Sequence, residues 1–153
     1  TVIEKVIIMN TKIKTILLLP LLFLLASCAT GQLYQDVVIK DVSDNEGRIY
    51  FYRNKAAGFG SGIRPPINVD GVTVGRAISG GFFYIDRPQG TYNISVKSDL
   101  QEKVITINLK QGETYYVQLK TRMGLMTGRI LPELVDSSKG QLEIQSCKLD
   151  NGI

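Results

Sequence analysis

From Gly47 onward the apolar residues recur at every second position. Ile49 and Phe51 alternate with Tyr50 and Tyr52; Ile67 and Val69 precede Asp70-Gly71, and Val72 and Val74 follow it. Phe83 and Ile85 lead into the punctuation Asp86-Arg87-Pro88-Gln89-Gly90. Tyr92, Ile94 and Val96 alternate with Asn93, Ser95 and Lys97, and Ile105, Ile107 and Leu109 with Thr106, Asn108 and Lys110. After the turn Lys110-Gln111-Gly112-Glu113 come Tyr115, Val117 and Leu119, with Gln118 and Lys120 opposite. A period of two describes strands with one buried and one wet face. Asp-Gly between two such runs is a two-residue hairpin signal. Short strands at this spacing predict an all-β domain over residues 47–149, an antiparallel β-sandwich or barrel. Only Ser138 to Lys148 reads as a helix, with Ser138 as its cap and Leu142 and Cys147 turned inward; Gly140 weighs against it. Residues 150–153 are left as a tail.

The N-terminal pattern is different. Lys12 and Lys14 precede an apolar run that continues to Leu25, followed by Ala26, Ser27 and Cys28. A basic start, a short apolar stretch and small residues before a cut describe a secretory signal peptide, residues 1–27. The run from Ile16 to Ser27 is 12 residues, roughly 18 Å as a helix, against the roughly 30 Å of a bilayer core. Pro20 further weakens a permanent span. Leu25-Ala26-Ser27-Cys28 resembles the lipobox of bacterial lipoproteins. That resemblance implies a diacylglyceryl group on the Cys28 thiol, cleavage before Cys28, and acylation of the new amino terminus, palmitate being a typical chain. Leu25, Ala26 and Ser27 would be the residues that the signal peptidase reads. Ala29 stands where an Asp would mark inner-membrane retention in that family, so the expected location is the outer membrane, facing the periplasm. Met9-Asn10-Thr11-Lys12 makes a better start than Thr1 to Ile8, which points to translation from Met9. Residues 28–46, with Asp36, Asp41, Asp44 and Glu46, read mainly as a tether, in which Val37-Val38-Ile39 is a candidate docking strand.

The formal charge of +4 falls to about +2 once Lys5, Lys12, Lys14 and Glu4 leave with the signal. No long Lys/Arg cluster remains, so nucleic acid is not an expected partner. Cys28 is consumed by the lipid and leaves Cys147 as a lone thiol, read as a buried small hydrophobe. The chain has no His and no Trp. Without His, the commonest metal ligand and general base is missing, so no metal, cofactor or enzymatic activity is expected.

Gly47-Arg48-Ile49-Tyr50-Phe51-Tyr52-Arg53 resembles the opening strand of an uncharacterised bacterial lipoprotein family, domain of unknown function 2846. Ile67-Asn68-Val69-Asp70-Gly71, Gly81 to Asp86, Pro88 to Tyr92, Gly112 to Val117 and Cys147-Lys148-Leu149 fit as well. The Val-Asp-Gly hairpin followed by Pro-x-Gly-x-Tyr is also similar to PEGA-type and transthyretin-like domains. The resemblance implies an immunoglobulin- or transthyretin-like β-sandwich, with no assigned chemistry.

Three features invite a functional reading. Ala57 to Gly62 is Gly-rich, but Pro65-Pro66 follows and no Gly-Lys-Ser/Thr ending exists, so it reads as a strand connection rather than a phosphate loop. Met123-Gly124-Leu125-Met126-Thr127-Gly128, flanked by Arg122 and Arg129, reads either as cover for one end of the sandwich or as a contact loop for lipid or a partner. Tyr50 and Tyr52 share one face; if exposed, they would stack on a glycan or peptide, while ordinary strand propensity is the plainer account. Asp86 and Glu133 have no spacing that favours an acid pair over turn and surface roles. The expectation is a membrane-anchored, non-enzymatic β-sandwich that binds a protein or other envelope partner, the alternative being a small-ligand or glycan-binding lipoprotein with a tyrosine face.

Overall fold

A computed structural model describes residues 31–56, 58, 60–124 and 128–150. Among the described residues, nine strands form two sheets: β1 (Glu46–Tyr52), β2 (Pro66–Val69), β3 (Val72–Arg76), β4 (Gly81–Pro88), β5 (Gly90–Ser98), β6 (Gln101–Leu109), β7 (Thr114–Met123), β8 (Gly128–Val135) and β9 (Lys148–Leu149). The helix α1 (Ser137–Ile144) lies between β8 and β9. The five-stranded sheet has the order β8-β7-β1-β4-β9 and the four-stranded sheet β3-β2-β5-β6. The fold is a β-sandwich with one short C-terminal helix.

The period-two residues fill the space between the sheets. Ile49, Phe51, Val117, Leu119 and Ile130 from the larger sheet meet Ile67, Val69, Val74, Ile94, Val96, Ile107 and Leu109 from the smaller one. Phe51 stacks on Phe83 with centroids 4.9 Å apart. The expected hairpin is present: Val69 pairs with Val72, and Asp70 and Gly71 take φ of 48° and 81°. Both signs are what a two-residue turn between twisted strands requires.

Four expectations need correction. The larger sheet is mixed: β1 pairs with β7 and β4 with β9 in parallel, because β7 returns from the smaller sheet at the end where β1 begins. Asp86 to Pro88 continue β4 rather than breaking it, so only Gln89 separates β4 from β5. The helix starts at Ser137, and Asp136 rather than Ser138 stands at its N-cap, with no side-chain cap bond; Leu142 points to solvent at 76% exposure, while Ile144 and Cys147 go inward. Finally, the segment expected as a tether is docked at its start. Leu33 bridges to Lys148 and the Tyr34 amide donates to the Cys147 carbonyl at 2.9 Å. Tyr34–Asp36 form a 3-10 turn, and Val37 and Ile39 pack inward without forming a strand.

These last corrections share one cause. The outer face of the larger sheet is not wet. Tyr50, Tyr52, Phe82 and Tyr116 form a second core there with Ile144 and Cys147, joined by Tyr34, Val37, Ile39, Tyr84, Val135 and Leu149. Helix α1 and the segment from Leu33 to Ile39 are its cover, and both cores lie within residues 31–150.

Gly140 is where α1 meets the sheet most closely. A Cβ there would stand 2.2 Å from Tyr116 Cγ and 2.4 Å from its Cβ. Alanine favours an isolated helix by about 1 kcal/mol over glycine. Here the obstacle is the root of a side chain fixed on β7, and overpacking costs about 1–3 kcal/mol. Gly140→Ala is therefore expected to lower stability in urea unfolding, against helix propensity; a variant more stable than the parent would contradict this packing.

Candidate functional site

The two tyrosines are the first candidates, and they are not an exposed face. Tyr50 is 4% exposed and Tyr52 fully buried. Tyr50 stacks on Tyr116 at 5.2 Å and 12°, and meets Tyr34 and Tyr84 at 5.7 and 5.6 Å. Tyr52 donates to Glu143 of α1 at 2.6 Å, and Gln118 Nε2 donates to the same carboxylate oxygen at 2.7 Å. That carboxylate clamps the helix onto β1 and β7. The clamp closes the space in which a glycan would have stacked.

Two arginines flank this strand's core. Arg48 Nε and Nη2 each donate to Asp86 at 2.7 Å, directly across from it in register, and the guanidinium lies 4.3 Å from the Tyr84 ring centre. Asp86 is thus held by a bidentate cation. Glu133 pairs with Lys120 at 2.6 Å, which keeps its carboxyl below the usual range. Strands β7 and β1 lie between Glu133 and Asp86, so the two do not form an acid pair. Arg53 is 1% exposed. Its Nη1 donates to the carbonyls of Ile63 and Ala77 at 2.6 and 2.8 Å, its Nη2 to that of Gly60 at 2.6 Å, and Nη2 and Nε to Thr121 Oγ1. All these acceptors are neutral, and burial lowers the Arg53 pKa. The Gly-rich connection is therefore organised around a guanidinium rather than a phosphate; Ala57 and Phe59 lie outside the described residues. Sequence reading quoted Arg53 in a motif but gave it no role.

Cys147 is buried, as expected, and burial pushes its thiol up to about 11. Among the described residues no group of three or more His, Cys, Asp or Glu is placed to hold a metal. A hollow of about 320 Å³ is lined by Asn54, Lys55, Ala56 and residues 118–122. Others lie along Glu113 to Tyr115 and Glu133 to Ser137.

The remaining candidate is the β7–β8 hairpin. Arg122 pairs with Arg129 and Met123 with Gly128, and Met123 is 81% exposed. Leu125 and Met126 lie outside the described residues, as do Leu25 to Cys28. Beside this tip stands one that the sequence reading missed, the β5–β6 turn at Asp99-Leu100, with Leu100 84% exposed. Ser98 Oγ donates to the Ile130 carbonyl at 3.2 Å and accepts from the Ile130 amide at 2.9 Å, while Arg129 Nη1 donates to Gln101. The two tips are thus tied together at one end of the sandwich. The missed signal was a leucine in the second position of a two-residue turn.

The buried phenols give a pH dependence. Burial raises the pKa of Tyr50 and Tyr52, and raises that of Tyr116 to about 12. An unfolded phenol titrates near 10. The folded state therefore holds these protons more tightly, so their contribution is complete below about pH 10 and is lost as the pH rises toward the folded values. The unfolding free energy from urea titrations is expected to be flat from pH 7 to 9 and to fall above pH 10, by up to about 1.4 kcal/mol per pH unit for each tyrosine. A midpoint unchanged at pH 11 would contradict the closed aromatic core. Arg53→Met leaves three carbonyls short of a donor and is expected to cost about 2–4 kcal/mol in the same assay. Arg53→Lys should not restore the loss, because one ammonium does not reproduce a planar fork.

Comparison with known proteins adds one result. No curated protein and no solved structure matches this chain. A family model described as a protein of unknown function matches residues 43–129, from the turn before β1 to the start of β8. The chain belongs to that family, DUF2846.

Proposed function

We propose that this protein is a lipid-anchored envelope protein whose sandwich is a non-enzymatic contact module, held at the outer membrane through Cys28 and facing the periplasm. The observation that carries the contact reading is the pair of exposed apolar tips, Leu100 and Met123, fixed side by side by the Ser98–Ile130 bonds. Exposed apolar side chains that the strands do not bury are where a partner gains most from contact. The anchor reading rests on Leu25-Ala26-Ser27-Cys28. Two or more acyl chains hold a protein stably on a membrane, and confinement there makes a weak contact effective. A glycan-binding tyrosine face has no support from buried Tyr50 and Tyr52.

Metabolic labelling with a clickable fatty acid tests the anchor. Label should enter the parent chain and not Cys28→Ala, and equal labelling of both would refute it. A photo-crosslinking residue in place of Met123 tests the contact surface in cells. Crosslinked protein or lipid is expected there, and none from a control position at Lys110.

A further inference from the structure

We propose that the end of the sandwich carrying Leu100 and Met123 docks on an anionic lipid bilayer, the two side chains entering the apolar layer and the surrounding cations meeting the head groups. This rests on the contact-surface reading above and names its partner.

The β5–β6 turn is strained without a folding reason. Two hairpins of the smaller sheet turn through the same left-handed pair of residues. Asp70-Gly71 has φ of 48° and 81°, and Asp99-Leu100 has φ of 50° and 64°. Glycine suits the second position; leucine does not, since its Cβ crowds the backbone there. Leu100 recovers nothing by packing, because it is 84% exposed. A strained residue with no core contact points to a role outside the fold. Met123 repeats the exposure on the neighbouring tip.

Charge singles out the same end. Lys55, Arg76, Lys97, Lys103, Arg122 and Arg129 lie on the connections and strand ends at this end, against the acidic Asp99 and Glu102. The hollow beside the tip has Lys55, Lys120 and Arg122 on its wall. At the opposite end the connections and strand ends carry Asp44, Glu46, Glu113 and Asp136, against Arg87 and Lys110. The molecule is thus polarised along its strands, with cations outnumbering anions around the apolar tips. Basic side chains are drawn to anionic head groups.

The test uses residues 29–153 without lipid; both cores lie within this span, so it retains the whole packed fold. It is expected to co-sediment with vesicles of equal parts phosphatidylglycerol and phosphatidylcholine, more weakly with phosphatidylcholine alone, and less as salt is raised above about 0.1 M. Leu100→Asn with Met123→Ser should lower the partition coefficient at least about tenfold, because each buried apolar side chain exceeds that threshold. Asn tolerates the left-handed backbone, so the melting temperature should hold. Lys97→Gln with Arg122→Gln is the second variant, with an expected loss on the order of tenfold. The proposal is overturned if the parent fails to sediment with anionic vesicles, or if neither variant weakens sedimentation. Crosslinking from position 123 then separates the two readings: a captured protein leaves the contact surface standing with lipid as the wrong partner, and no capture removes both.

Discussion

Strand β1 is buried on both faces, and most of the structure follows from that. Ile49 and Phe51 face the smaller sheet, while Tyr50 and Tyr52 face the other way and are as fully enclosed. A sandwich of two sheets covers only one face of each. The larger sheet therefore needs a third layer, which α1 and the segment from Leu33 to Ile39 provide. The clamp of Tyr52 and Gln118 on Glu143, the Gly140 approach and the Leu33–Lys148 bridge all hold that layer in place.

Two arginines, one on β1 and one just beyond it, have opposite solutions to burial. Arg48 faces outward and meets a carboxylate in register, so its charge is neutralised locally. Arg53, beyond the end of β1, has only neutral acceptors and relies on the number of bonds its fork can make. Those bonds tie the β1–β2 connection, the residue after β3 and strand β7 to one point. The Arg53 backbone joins in as well: its amide donates to Gly81 and its carbonyl accepts from Gly80 and from the Cys147 thiol. Desolvating a cation is costly, and that cost is tolerable only because every donor direction has an acceptor.

The sequence was legible where one rule decides the outcome. Period two located the strands of the inter-sheet core, and Asp70-Gly71 located its hairpin. The same rule failed for Tyr50, Tyr52, Tyr116 and Gln118, because alternation with polar-tipped residues looks identical whether the second face meets water or a tyrosine-lined core. Nothing local distinguishes these cases; the difference lies in α1 and Leu33, far away along the chain. The parallel β1–β7 pairing was hidden for a similar reason, since pairing partners distant in sequence leave no mark on either strand. Met123 stood in an apolar loop that the sequence left open between cover for the sandwich and contact, and its exposure shows only that the strands do not bury it. Leu100 was not legible, because a single leucine after an aspartate carries no pattern until the turn geometry is known.

The two filled cores also bear on the proposal that contact falls to an end of the molecule. Aromatic rings occupy the space that could have been a cleft on the outer face, and the inter-sheet space is packed with aliphatic side chains. What remains are edges and hairpin tips. A tip set by paired strands is already ordered, so a side chain upon it gives up little conformational freedom when it binds. The Ser98–Ile130 bonds extend that order from one hairpin to the next and fix the spacing of Leu100 and Met123 before any partner arrives. A surface of this kind needs no deep pocket. It suits a broad, apolar and oppositely charged partner better than a small ligand that needs enclosing walls.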